Sequence, residues 1–380
     1  MSLSRAAHVA SRSLYAAADQ PARLSLEIDG ISHQGRVIPI LSQDVLRMPF
    51  CVLTRFARQD GAALPKILVV CPLSGHFSIL LRDLVIGLLP TFDVFITDWI
   101  NARHIPARHG SFNLEANNSY VAAMMEYLGP DLNVIALCQA AIPALAATAH
   151  LAGQRPRAGP RTLVLMAAPV DPDSNPTPVD RLIRSRSLDW YKRNVISEVP
   201  AAYAGRRRAV YSGSIQLLGL WSYLARRIWE GGEIRDKVLH DDGCDPLRFP
   251  FLDLYSTLMD LPAELLLDTV RHIFHERSIW NNALMVRVQH VDFSAIRSTA
   301  LMTIEGEVDD VAAPGQTRRA HDLCPSIPRT ARRHLLVPGC GHFSLFHGDI
   351  WRTRILPEIR AFCKGHGAKA PNQSSGSRSA

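Results

Sequence analysis

A chain of 380 residues, 47% apolar and 20% charged, can build one large α/β domain with an insertion, or two ordinary domains, without metals or a disulfide framework. Seven cysteines, an odd number with no C-x-x-C pair, point to free thiols in a reducing compartment. The net charge of +7 comes with no helix-turn-helix, RRM or zinc-finger pattern, so it reads as a solvated surface and not as a nucleic-acid interface, and no long uncharged apolar run marks a transmembrane span.

Residues 1–18 (MSLSRAAHVASRSLYAAA) lack the apolar core of a secretory signal. They are faintly like an organellar transit peptide, since no acid precedes Asp19, and read better as a frayed amphipathic helix. Residues 22–43 alternate loosely, with Asp29-Gly30 as a turn signal, and predict a β-hairpin. CVLTRFAR (51–58) alternates like a half-buried strand, whereas ILVVC (67–71) is a continuous apolar run that predicts a central strand. That strand ends in PLSGH and is followed by a helical run over 77–89. DVFIT (93–97) is the next strand, ending in Asp98-Trp99, and a helix over 120–128 precedes a strand at 134–137. A helix rich in alanine covers 140–150, and TLVLM (162–166) is a further buried strand ending in AAPVDP. Strands alternating with helices imply a doubly wound, mostly parallel sheet. Ligand sites on such sheets lie at the carboxyl ends of the strands, where residues 73–76, Asp98, Cys138 and Asp171 all fall.

From 175 to 295 strand-like runs become scarce, and helical runs at 214–229, 251–259 and 262–275 carry recurrent aromatics. A helical insertion at this point predicts a lid over the strand ends. His272 and His275 fall on one helix face, but no third ligand or H-E-x-x-H pattern makes them a metal site. The sheet resumes with ALMTI (300–304), which ends in EGEVDDVAAPGQ, and a helix is expected over 317–323. HLLV (334–337) runs into PGCGHFSLFHG, and 350–363 is the closing helix. The tail, small and polar, reads as disordered. The expected layout is a core over 1–174 and 296–364, a lid over 175–295 and a free tail over 365–380.

Cys138 sits at a tight strand-to-helix step between small residues, A-L-C-Q-A, in the manner of the G-x-S-x-G nucleophile elbow. The alternative for this stretch alone is a buried cysteine ending a core strand. Chain order decides for the elbow: nucleophile, acid and histidine follow one another as Cys138, an Asp after residue 304 and a His after residue 337, each at a strand end. Asp309 and Asp310 compete for the acid. The spacing from Gly306 and the following Val311 favour Asp309, leaving Asp310 to face solvent or cap a helix. His342 lies in G-C-G-H, a tight loop; Cys340 beside it lacks an elbow. A paired imidazole would raise the thiolate fraction of Cys138, and Asp309 would fix its tautomer. The oxyanion donors are expected to be the Gln139 N–H and the N–H of Leu73 or Ser74. His76 at the mouth and Trp221 in the insert are the substrate-binding candidates.

With these residues in place, the chain resembles the intracellular polyhydroxyalkanoate depolymerases, members of the α/β-hydrolase superfamily. The matching stretches are VCPLSGHFSILLRD, DVFITDWINARHIP, NVIALCQAAIPALAA, RRRAVYSGSIQL, LMTIEGEVDDVAAPGQT and CGHFSLFHG, and the likeness runs from about residue 24 to 363. It implies an α/β-hydrolase fold with a helical lid and a cytoplasmic, granule-associated enzyme without cofactor. Such an enzyme would cleave stored poly(3-hydroxyalkanoate), polyhydroxybutyrate foremost, through Cys138, Asp309 and His342 and an acyl-cysteine intermediate. The implied partner is the polyester granule surface. The alternatives are a polyester-synthase-like or thiolytic acyltransferase, with coenzyme A as acyl acceptor, and a non-catalytic granule-binding protein. A-L-C-Q-A in place of the synthase-like G-x-C-x-G favours the depolymerase. The chain departs from the family at Ala140, where proline is common, in a shorter N-terminal region and in a trimmed segment before Ser294.

Overall fold

The computed structural model describes residues 21–155 and 157–366. The N-terminal helix expected over 1–18 and the tail beyond His366 lie outside the described residues; Gly365 still belongs to the closing helix. Among the described residues, nine strands make one sheet: β1 (Gly30–His33), β2 (Arg36–Arg47), β3 (Cys51–Arg58), β4 (Lys66–Val70), β5 (Asp93–Trp99), β6 (Leu132–Leu137), β7 (Thr162–Met166), β8 (Ala300–Gly306) and β9 (Arg332–Val337). Their order is β1-β2-β3-β5-β4-β6-β7-β8-β9. From β5 to β9 neighbours run parallel; β1 to β3 form an antiparallel margin that joins the rest through β5.

The physical reason is burial on both faces. Every residue of β6, β7 and β8 is buried, and β4 is buried after Lys66, so their runs are largely apolar without alternation. The helix Ala141–Gln154 is buried from Ala141 to Leu151 and packs on Leu114–Leu128, whose start is capped by the Asn113 side chain accepting from the Ala116 N–H. No helix among the described residues is long and apolar enough to cross a membrane.

Two local expectations are corrected. The N-terminal hairpin turns at Gln34-Gly35, both at positive φ (50° and 75°), and not at Asp29-Gly30, where Gly30 opens β1. The helix expected over 317–323 is confined to Ala320–Leu323. Thr317 is buried with its hydroxyl donating to the Ala168 carbonyl and accepting the Ala168 N–H, which ties it to the end of β7.

Between β7 and β8 lies an insert of helices, among them Gly213–Glu230, Glu233–His240, Phe251–Ser256 and Ala263–Thr269. It also carries small strands at Ile196–Glu198, Ala209–Tyr211 and Leu261–Pro262 that pair with one another, and a two-residue pair at Met285–Val286 and Gln289–His290. The insert is pinned to the core by a buried fork between Arg103 and Asp260, at 3.0 Å on both sides, with Asp260 also accepting the Gly213 N–H. The parallel register brings Val70 beside Ala136, Leu137 beside Met166 and Gly306 beside Val337, so the loops that follow emerge on one rim.

Candidate active site

The loop after β6 is a single strained residue. Cys138 stands at φ 51°, in the left-handed region that a side chain adopts at a cost, between the end of β6 and the short helical turn Cys138–Ala140. Ala136 and Ala140 beside it are buried and small, so the turn can close tightly, and the sulfur is left half-buried at the rim.

The loops after β8 and β9 are knitted together by backbone. The Val308 N–H donates to the Cys340 carbonyl at 3.1 Å, and a side chain at Gly306 would come within 2.4 Å of that same oxygen, so the close approach needs glycine there. This sets Asp309 beside His342: ring Nδ1–H donates to carboxylate Oδ2 at 2.8 Å, and both groups are buried. The other Asp309 oxygen accepts the N–H groups of Val311 and Ala312 at 2.8 and 2.9 Å. With Nδ1 committed, Nε2 is the nitrogen left for the Cys138 thiol, which lines the same cavity as the ring. Burial alone would lower the His342 pKa. The Asp309 charge and hydrogen bond, together with Cys138, outweigh it and hold the ring well above its ordinary value. A thiol, an imidazole and a carboxylate are therefore brought together, and Asp309, not Asp310, faces the ring.

A cavity of about 330 Å³ opens over the sulfur. Cys138, His342, Gln139, Ser74 and His76 line it among apolar side chains that include Leu220, Tyr255 and Phe346. The Leu73 and Ser74 N–H groups have no hydrogen-bond partner among the described residues, but only Ser74 borders this cavity; Leu73 is buried beside a separate small void. His76 is in the wall, where Nε2–H donates to the Tyr255 carbonyl at 3.0 Å. Burial, with the His342 charge nearby, lowers its pKa to about 4, so it enters the cavity uncharged at neutral pH.

Trp221 is not brought to the cavity. It is half-buried on the Leu217 face of its helix, against Leu258, while Leu220 and Tyr223 of the same helix reach the site. Periodicity marks that helix as amphipathic but not which stripe meets the cavity, so Tyr223 was not foreseen. Asp310 caps no helix and is only partly open to solvent: the Tyr223 hydroxyl donates to it at 3.0 Å and Arg227 ion-pairs with it at 3.3 Å. The other strand-end aspartates serve ion pairs. Asp98 is held by Ser78 and Arg23, and Asp171 by Arg277 and Arg319. Cys340 is buried and its thiol is pushed up by that burial and by Glu233 and Asp309. His272 bonds to Ser278 at 2.7 Å, and among the described residues no group of three His, Cys, Asp or Glu could hold a metal ion. A larger open groove, about 920 Å³ near His150 and His290, contains none of Cys138, Asp309 and His342.

Residues 167–367, more than half of the chain, match a family model described as the PHB de-polymerase C-terminus. The chain belongs to this family. The match to the PHB de-polymerase C-terminus takes in the insert, Asp309 and His342, whereas β6 and Cys138 precede it. No curated protein matches the chain. Among solved structures, a soluble variant of monoglyceride lipase from Saccharomyces cerevisiae has a TM-score of 0.51 at 10% identity, over 92% of this chain and all (100%) of that one. Epoxide hydrolase VrEH1 from Vigna radiata has a TM-score of 0.48 at 14% identity, over 86% of this chain and 98% of that one. An esterase from Thermogutta terrifontis has a TM-score of 0.46 at 14% identity, over 90% and 98%. The likeness to the first is one of fold, and this member of the PHB de-polymerase family has the α/β-hydrolase fold.

Proposed function

We propose that the protein hydrolyses ester bonds of stored poly(3-hydroxyalkanoate), polyhydroxybutyrate foremost, with Cys138 as nucleophile. The observation that carries this reading is the Asp309–His342 hydrogen bond set at one cavity with the strained Cys138. Family membership supports the polyester as substrate.

In this reading His342 takes the thiol proton and the thiolate attacks the ester carbonyl. The Gln139 N–H, with the Ser74 or Leu73 N–H, receives the developing oxyanion. Collapse of the tetrahedral intermediate breaks the C–O bond, the His342 imidazolium protonates the leaving hydroxyl, and an acyl-cysteine remains. Water then gives its proton to His342 and attacks the thioester, releasing the acid and returning the thiol. Asp309 holds the tautomer throughout. The cavity's apolar lining, with an uncharged His76, suits a chain of aliphatic ester units. The insert over the rim acts as a lid, and the granule surface is the partner.

Incubation with amorphous polyester granules, followed by mass spectrometry of the products, tests this. Wild type is expected to release free hydroxy acids or their short oligomers, and Cys138→Ala none while remaining folded. Thioester products that form only when a thiol such as coenzyme A is added would replace hydrolysis by thiolysis. Unchanged release by Cys138→Ala would remove the cysteine from the mechanism.

A further inference from the structure

His342 stands at the N-terminal edge of the short helical turn Phe343–Leu345, and its side chain does not cap that turn because the ring is committed to Asp309. The exposed N–H groups of such a turn need an acceptor. They find one on the insert: the Glu233 carboxylate accepts the Phe343 N–H at 3.3 Å through one oxygen and the Ser344 N–H at 2.5 Å through the other. Glu233 is the first residue of its own helix, Glu233–His240. Its carboxylate fills the space where a Gly341 side chain would be, 2.2 Å from an ideal Cβ, so a side chain there would push the carboxylate aside. One turn further on, buried Lys237 donates to the His347 carbonyl at 3.1 Å. The acid loop has a matching tie, since Tyr223 and Arg227 hold Asp310, the neighbour of Asp309.

We propose that the insert positions the reacting groups, with Glu233 as the positioning residue that aligns His342 on Cys138 and the Tyr223–Arg227–Asp310 contact doing the same for Asp309. This rests on the reading of Cys138 and His342 as the reacting pair. Glu233 touches neither; it acts through the two backbone N–H groups that follow the histidine. A loop left without its acceptor would let the ring swing away from the sulfur, so the loss should fall on turnover and on thiol reactivity more than on substrate binding.

The test uses the full chain, with a soluble p-nitrophenyl ester for kcat and KM. Iodoacetamide alkylation of Cys138, followed by peptide mass spectrometry across pH, reports the thiol–imidazole pair without substrate. Glu233→Ala should lower kcat at least about tenfold with KM changed less than about threefold. Its rate of Cys138 alkylation near neutral pH should fall along with kcat. Glu233→Gln keeps one acceptor and should fall between. Gly341→Ala leaves the carboxylate in the chain but displaces it, and should reproduce the Glu233→Ala loss; it decides the matter if Glu233→Ala does not fold. Wild-type kcat and alkylation in both Glu233→Ala and Gly341→Ala, or a loss in KM or melting temperature alone, overturns the proposal. A wild-type Cys138 that alkylates as an ordinary thiol, together with a Cys138→Ala variant that still turns over, overturns the nucleophile reading and this inference together. A reactive wild-type Cys138 indifferent to both variants overturns the positioning role alone.

Discussion

Cys138 and His342 carry the chemistry proposed here, and each is held at a cost. A non-glycine residue in the left-handed region costs about 1 kcal/mol or more, which β6 and the helix Ala141–Gln154 hold in place by being buried almost throughout. The buried imidazole is held charged to a higher pH than a free one, chiefly by Asp309 acting against burial. The sign of the linkage follows. A raised folded pKa stabilises the native state fully below the unfolded value, about 6.5, and that contribution is lost as pH rises through the folded value. Asp309→Asn removes most of it. Urea unfolding should therefore show wild type ahead of Asp309→Asn by more at about pH 6 than at about pH 9. A gap that widens toward alkaline pH would contradict the assignment of the raised value to this pair. Turnover of the same variant should fall about a hundredfold or more, because the ring can then settle in the wrong tautomer.

At the scale of elements, the insert is fastened to the core by more than surface contact. Arg103 and Asp260 are both buried, and the carboxylate accepts the Gly213 N–H besides the guanidinium fork. Removing the carboxylate costs the guanidinium fork and the acceptor of the Gly213 N–H together, so Asp260→Ala is expected to cost about 3–5 kcal/mol of stability in denaturant unfolding. A cost under about 1 kcal/mol would mean that the insert docks by other contacts. The parallel strands were legible because burial on both faces writes them as largely apolar runs; residues 162–166 coincide with β7. The small strands of the insert were not legible, since two or three residues are too few to establish a period of two. The hairpin turn was misplaced because Asp-Gly is the stronger dipeptide signal, yet Gln34-Gly35 takes the positive φ values. Asp309 was separable from Asp310 by spacing, whereas the partners of Asp310 were not, because Tyr223 and Arg227 lie 87 and 83 residues away in sequence, on a helix whose placement only the fold reveals. Glu233 carries no local signal at all; it is one acid in a helix until Gly341 and the two N–H groups are seen around it.

At the scale of the molecule, the parallel sheet does what local sequence cannot. It carries residues 138, 309 and 342 to one rim, because each follows a strand and the strands point the same way in register. The insert, entering between β7 and β8, is placed by that topology over the same rim, where it closes one side of the cavity with Leu220 and Tyr223. Fold and family membership agree on an α/β-hydrolase scaffold of the PHB de-polymerase C-terminus family. The central claim is narrower, that the Cys138 sulfur itself takes the acyl group. Acid-quenching the enzyme during turnover of a 3-hydroxyacyl ester and mapping the adduct by peptide mass spectrometry tests it most directly. One hydroxyacyl unit in thioester linkage on Cys138 is expected, labile to hydroxylamine and missing from Cys138→Ala; an adduct on another residue during full turnover, with Cys138 unmodified, would rule out the cysteine as nucleophile.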